Sequence, residues 1–324
     1  MPTIPYINAQ QLTSLLPWNN LIDALQDVFL QDVIEPVRHH HFLNVPDEPQ
    51  ATLLLMPAWI EGQYLGVKQV SVFPGNNARN QPAINGSYLL SNANTGEPLL
   101  QLDANELTAR RTAAASALAS KYLSRDNASQ LLMIGAGRMA RALIEVHSIV
   151  RPIETIQIWS RTEKSALKLV KELQAQGKSA SLCKNQQLPQ AVADADIISC
   201  ATVSTQPIVL GKWLQSGVHL DLVGAFRQDM RETDDEAISR SSVFVDTRAG
   251  ALSEAGDLTQ PIDKGLFSEG QVIAELKELC AGKHSGRSQL TDSNLKNTLF
   301  KSVGAAREDL AAAMLAHKLY EKTK

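Results

Sequence analysis

Leu131-Leu132-Met133-Ile134-Gly135-Ala136-Gly137-Arg138-Met139-Ala140 carries an apolar run into a glycine pair and out into a helical pattern. In a dinucleotide-binding turn the first glycine makes the tight bend and the second lets backbone N–H groups approach a diphosphate. The third small position lets helix pack on strand. Gly135, Gly137 and Ala140 occupy those places. A helix opening near Arg138 would turn its N-terminal N–H groups and dipole toward phosphate, which makes Gly135, Ala136, Gly137, Arg138 and Met139 candidate contacts. Leu131–Ile134 as strand, Met139–Val150 as helix and Ile156–Trp159 as strand fit within the roughly thirty residues of a βαβ unit. An NAD-binding chain usually ends the second strand on an acid that accepts from the ribose 2′-OH. Here Ser160-Arg161-Thr162 follows, and a guanidinium between hydroxyls suits a 2′-phosphate. The expected cofactor is NADPH, with NADH as the alternative. The competing readings are an ordinary turn at the glycines and a solvated loop arginine at 161.

The remainder of the chain bounds the problem. Its 324 residues are enough for two domains with separate cores. A net charge of −3 argues against general nucleic-acid binding, and no apolar stretch approaches a membrane span although 44% of residues are apolar. The first residues lack a basic region followed by an apolar core, so a cytoplasmic protein is expected. Cys183, Cys200 and Cys280 show no CxxC spacing and read as incidental thiols. His39, His40 and His41 alternate faces in a strand and cannot converge on one metal, so no metal is expected.

Residues 9–31 have helical spacing, with Leu21, Ile22, Leu25, Val28 and Phe29 on one face. Strand signals follow at Val37–Asn44, Thr52–Ile60, Tyr64–Phe73, Ile84–Asn92 and Leu99–Asp103, separated by turn formers, and point to an antiparallel sheet. Glu106 to Leu123 forms an alanine-rich helix. Beyond it strand and helix alternate, with strands expected at 130–134, 155–159, 179–183, 196–200, 218–223 and 242–246, as in a doubly wound parallel sheet. The polar run 282–287 reads as a closing loop, and Phe300 to Tyr320 as a last helix. The expected architecture is therefore α/β: a Rossmann-type NADP-binding domain over 125–299, and an α+β substrate-binding and dimerisation domain over 1–124 with 300–324.

Cations in apolar or strand-like stretches of the first domain are candidates for holding a small acidic substrate: Arg38, Lys68 and Arg111. A guanidinium can hold a carboxylate by two parallel hydrogen bonds, and an ammonium in a partly dry pocket can also give a proton. With 31 lysines and arginines in the chain, the competing reading for each is a solvated surface cation. Thr202, at the end of the fourth parallel strand, lies where an α/β sheet binds its ligand. Val223, Gly224 and Ser302 are further candidate cofactor contacts, set against strand-end packing and helix capping. Asp103, Glu254, Asp257 and Asp309 read as caps or interdomain salt bridges.

Arg38 in Pro-Val-Arg, Leu55-Met56-Pro57-Ala58, Gly66-Val67-Lys68, Thr95-Gly96-Glu97-Pro98, Leu107-Thr108 with Arg111-Thr112-Ala113-Ala114, the glycine loop, Glu254-Ala255-Gly256-Asp257 and Phe300-Lys301-Ser302-Val303-Gly304 together resemble the ornithine cyclodeaminase/mu-crystallin family over nearly the whole chain. The resemblance implies a homodimer whose first domain supplies interface and substrate pocket, with Arg38, Lys68 and Arg111 meeting the substrate carboxylate. It also implies that Asn85, Arg111 and Thr112 approach the nicotinamide end of the cofactor. Two departures bear on the reaction. The cyclodeaminases have an aspartate where this chain has Phe226, and a glutamate where it has Leu54. Loss of ammonia from an amino acid needs carboxylates to orient and deprotonate the amine, so ornithine cyclisation is disfavoured. The run from Gly224 to Glu236 is similar to the Δ1-pyrroline-2-carboxylate reductase branch. That branch implies reduction of a small cyclic imino acid to L-proline, or to L-pipecolate from the six-membered ring, with Lys68 as candidate proton donor. The alternatives are a cyclodeaminase or alanine dehydrogenase of the same family, or an NADPH- and ligand-binding protein like mu-crystallin.

Overall fold

In the computed structural model, which describes residues 3–323, a chain division falls inside one helix. Two compact units result, Met1–Thr112 with Ala306–Lys324, and Ala113–Ala305. Both divisions differ from the expected 124/125 and 299/300. The first lies earlier because the second half of helix Ala104–Leu123 belongs to the second unit. The second lies later because residues 297–301, which include the expected start of the last helix, are a strand.

The first unit is built on a six-stranded sheet of β1 (Tyr6–Ile7), β2 (His39–Leu43), β3 (Ala51–Ile60), β4 (Tyr64–Val72), β5 (Ile84–Asn92) and β6 (Pro98–Asp103), in the order β1-β6-β5-β4-β3-β2. Every pairing is antiparallel except β1 with β6, a short parallel strand that the sequence pattern did not reveal. Helix Trp18–Phe29 buries Leu21, Ile22, Leu25, Val28 and Phe29, the apolar stripe of the sequence. Helix Ala9–Leu15 precedes it, closed at its start by an Asn8/Gln11 capping box and separated by Leu16-Pro17. The last helix, Ala306–Glu321, packs on Trp18–Phe29, β3 and β4. Asp103 accepts from the Glu106 N–H at 2.7 Å, the cap expected for the helix it precedes.

The second unit carries an eight-stranded, wholly parallel sheet: β7 (Gln130–Ile134), β8 (Thr155–Trp159), β9 (Ala180–Leu182), β10 (Ile197–Cys200), β11 (His219–Leu222), β12 (Ser241–Val245), β13 (Val272–Glu275) and β14 (Asn297–Lys301). Its order is β13-β12-β14-β11-β10-β7-β8-β9. Chain progression runs β7-β8-β9 to one side and β10-β11 to the other, so the topological switch point lies between β7 and β10. β14 inserts between β11 and β12, which places Phe300 and Lys301 deep in the sheet. The run 282–287 is not a solvated loop throughout. Arg287 is buried, and its guanidinium donates to the carbonyls of Leu123, Val218, Ser293 and Lys296 and to Thr298 Oγ1. Among the described residues no helix is long and apolar enough to cross a membrane.

Candidate active site

One candidate cluster belongs to the first unit. Lys68 sits at mid-strand in β4, opposite Met56 of β3 and Tyr88 of β5, so the three share one face of the sheet. That face is covered by the last helix, and Lys68 is only 3% exposed. Its Nζ donates to Asp309 Oδ2 at 2.6 Å and approaches Thr108 Oγ1 at 3.5 Å. Arg111, 4% exposed on helix Ala104–Leu123, donates from Nε to Asp309 Oδ1 at 3.0 Å and from NH1 to Glu308 at 2.6 Å. One carboxylate thus holds both cations. Burial pushes the Lys68 ammonium down from 10.5 to about 8; the Asp309 charge and hydrogen bond oppose the fall, while Arg111 and Arg38 add to it. Burial would raise the Asp309 carboxyl, but Arg111 and Lys68 outweigh it and hold the group below the ordinary carboxylate range.

Arg38 is half-buried and lies just before β2 instead of within it. Three residues earlier Glu35 accepts from the backbone N–H of Arg307 at 3.1 Å and from its Nε at 2.5 Å, tying the Arg38 segment to the first turn of the last helix. Asp309 is therefore neither a cap nor an interdomain bridge. It is the hub of an ion-pair cluster inside one unit, together with Glu308. Their signal was available in the sequence: two acids stand in an alanine-rich helix, with Asp309 on the buried stripe of Ala312, Ala313 and Ala316. Leu54 lies two residues before Met56 and so on the Lys68 face, where it offers hydrocarbon. Carboxylates are nevertheless present beside Lys68, supplied by the last helix instead of β3.

A separate candidate cluster belongs to the second unit. Gly135 has φ +114°, donates its N–H to Trp159 O at 2.8 Å, and would bring an added Cβ within 2.7 Å of Ala201 O. Gly137 is the N-cap of helix Arg138–Val150; no side chain caps that end, and an added Cβ there would meet open space. Glycine turn, uncapped N–H groups and clear approach fit a dinucleotide diphosphate. Ala136 and Met139 are half-buried, whereas Arg138 is exposed. Ser160, Arg161 and Thr162 form the turn after β8, with Arg161 and Thr162 exposed. Thr202 follows β10, while Val223 and Gly224 follow β11 and are buried. Ser302, also buried, donates its N–H to Leu222 O at 3.2 Å.

The cofactor candidates are thus divided between the units. Asn85, Arg111 and Thr112 lie in the first and all the others in the second. Asn85 is exposed on β5 and its side chain donates to Pro82 O at 3.2 Å. Phe226, in place of the cyclodeaminase aspartate, is 44% exposed. Asp257 is fully buried, accepting from the N–H groups of Glu232 and Thr233 at 2.9 Å, and so is neither cap nor interdomain bridge. Glu232 was missed altogether. It stands in a polar run, Arg231 to Glu236, that gives no sign of burial from sequence.

A family model described as ornithine cyclodeaminase/mu-crystallin matches residues 13–324. An uncharacterised protein of Schizosaccharomyces pombe is 50% identical, covering 98% of each chain. A Δ1-pyrroline-2-carboxylate reductase of Bacillus cereus is 38% identical over 98% of this chain and 95% of its own. Among solved structures, Thermococcus litoralis Δ1-pyrroline-2-carboxylate reductase in complex with NADH and L-proline superposes with a TM-score of 0.89 at 32% identity, covering 99% of this chain and 98% of that one.

Proposed function

The chain belongs to the ornithine cyclodeaminase/mu-crystallin family, and we propose that it reduces Δ1-pyrroline-2-carboxylate to L-proline with NADPH, and the six-membered Δ1-piperideine-2-carboxylate to L-pipecolate. The carrying observation is the dry cluster in which Lys68 and Arg111 share the Asp309 carboxylate. Lys68 and Arg111 both lie on Asp309, and Arg38 is near enough to lower the Lys68 pKa, so the three cations gather where a substrate carboxylate would be held. The arginines orient that carboxylate, since a guanidinium fixes two oxygens at once. Lys68, with its proton loosened by burial, donates to the imine nitrogen. When bound, the nicotinamide supplies the hydride that adds to the imine carbon, so C=N becomes CH–NH and the cofactor is oxidised. Leu54 suits this reaction better than deamination, because a ring already closed brings no free amine to deprotonate.

In the second unit Gly135, Ala136, Gly137, Arg138 and Met139 would hold the diphosphate. Ser160, Arg161 and Thr162 would hold the 2′-phosphate, and Thr202, Val223, Gly224 and Ser302 would lie toward the nicotinamide. A homodimer through the first unit is supported by its open edge. Among the described residues β2 pairs on one side only, and Phe42 on it is 69% exposed.

The test is NADPH oxidation by the purified chain with each cyclic imine and with pyruvate plus ammonium. Turnover of one or both imines is expected. Turnover of pyruvate and ammonium alone would overturn the reading, as would an unchanged imine rate in Lys68→Met, for which a loss of roughly 10²–10⁴-fold is expected of a general acid.

A further inference from the structure

Beyond the strand ends of the second unit lies a buried charged cluster that the reaction above does not use. Glu232 is fully buried and its Oε1 accepts twice from one residue, from Thr202 N at 2.7 Å and from Thr202 Oγ1 at 2.8 Å. Thr202 belongs to the turn after β10, one wall of the switch-point crevice; the glycine loop after β7 is the other. The walls touch, since a Cβ on Gly135 would lie 2.7 Å from Ala201 O and 3.5 Å from Thr202 Cγ2. Where the Thr202 turn sits therefore sets the width of the crevice.

The same carboxylate meets a third strand end. A Cβ on Gly224, just beyond β11, would collide with both Glu232 Oε1 and Thr202 O, so the two turns are in close contact there. Lys301, wholly buried at the end of β14, donates to Leu222 O at 3.0 Å and to Gly224 O, and its Nζ lies 3.9 Å from Asp257 Oδ2. Asp257 in turn accepts from the Glu232 N–H at 2.9 Å. The ends of β10, β11 and β14 are thus fastened together by Glu232, Asp257 and Lys301 without any of the three side chains reaching solvent. A hydrogen-bonded buried charge is costly to leave unpaired, which makes such a network rigid.

We infer that Glu232 is a positioning residue for cofactor binding: it holds the Thr202 turn, and so the β10 wall of the crevice, at the spacing a dinucleotide needs. This rests on the reading that the second unit holds NADPH or NADH, and it assigns Glu232 no contact with either.

The experiment is direct titration of NADPH into the full-length protein by nicotinamide fluorescence, with amide hydrogen exchange of segment 201–206 measured without cofactor. Glu232→Ala removes the acceptor, and Glu232→Gln retains it at Oε1. The alanine variant is expected to bind NADPH about tenfold or more weakly and to exchange faster in 201–206, with the glutamine variant restoring most of both. Thr202→Val deletes the hydroxyl that donates to Glu232 and accepts from Ser204 N at 3.3 Å, while leaving the Thr202 N–H bonded to Glu232. It is expected to weaken binding in the same direction by a smaller factor, so the inference stays exposed even if Glu232→Ala fails to fold. Wild-type affinity in a folded Glu232→Ala protein, or in Thr202→Val with unchanged exchange, overturns the inference and leaves the functional reading intact. Failure of the wild-type protein to bind either NADPH or NADH overturns that reading instead.

Discussion

Lys68 donates to Asp309 at 2.6 Å, yet its pKa falls to about 8 because burial costs the ammonium more than the ion pair returns. If Lys68 is the proton donor, its protonated fraction is full well below pH 8 and is lost above it, so kcat/KM for the imine is expected to fall on the alkaline side of about pH 8. Asp309 opposes that fall in pKa. Asp309→Asn should therefore move the alkaline limb to lower pH, by roughly 1 unit or more, and weaken imine binding through Arg111. A pH profile that keeps its limb in Asp309→Asn removes Lys68 as the titrating group. Arg161 is tested by Arg161→Asp, which replaces an attractive charge with a repulsive one for a 2′-phosphate while leaving a 2′-hydroxyl an acceptor. The NADPH to NADH affinity ratio should fall by roughly tenfold or more, read from paired titrations; an unmoved ratio places cofactor discrimination elsewhere. At this scale the burial of Lys68 and Arg111 was legible because a cation in an apolar stretch stands out. Glu232 was not, because polar neighbours conceal a buried acid.

Secondary elements were legible wherever one face repeated. The strand and helix patterns from residue 51 to residue 160 match the observed elements to within a residue or two, since alternation and the 3.6-residue stripe both report a face turned to a core. β14 escaped because a central parallel strand normally reads as an unbroken apolar run. Here Asn297 and Lys301 sit at its two ends, buried but hydrogen-bonded, with Asn297 accepting from Gly217 N at 2.9 Å. The polar ends left Leu299-Phe300 looking like the opening of the helix that begins six residues later. The same misreading concealed why Lys301 matters: on a helix it would be one more surface cation, whereas on β14 it fastens the end of β11. β1 escaped for lack of length, at two residues.

At the scale of the whole molecule, the second unit's core contains a histidine that folding keeps uncharged. His219 is fully buried on β11. Its Nδ1 lies 3.0 Å from Thr298 Oγ1, whose own hydrogen is directed at Leu123 O at 2.8 Å, so Nδ1 is the donor and Nε2 carries no proton. Burial pushes its pKa down from 6.5 to about 3; Asp221 opposes this, while His147, Arg287 and Arg151 reinforce it. Above pH 6.5 neither state binds the proton and the residue is neutral in its effect. Between about 6.5 and 3 the unfolded chain binds a proton that the folded chain refuses, so stability declines as pH falls. One such proton contributes at most about 1.4 kcal/mol per pH unit. Nearby Asp221 acts lower: burial would raise its carboxyl, but hydrogen bonds from His147 and Ser199 outweigh that, so its contribution is lost only below the usual carboxylate range. Burial moves Glu232 the other way, from 4.5 up to about 7, so between those values the folded chain takes up a proton there that offsets the one refused at His219. In His219→Asn, whose side-chain amide can still donate to Thr298, denaturant midpoints measured between pH 7.5 and 4.5 should carry one proton less of acid destabilisation than in the wild type, even if stability at pH 7.5 is lower. Parallel slopes for the two proteins would mean that His219 titrates in the folded state as it does in the unfolded one, and that acid sensitivity arises elsewhere.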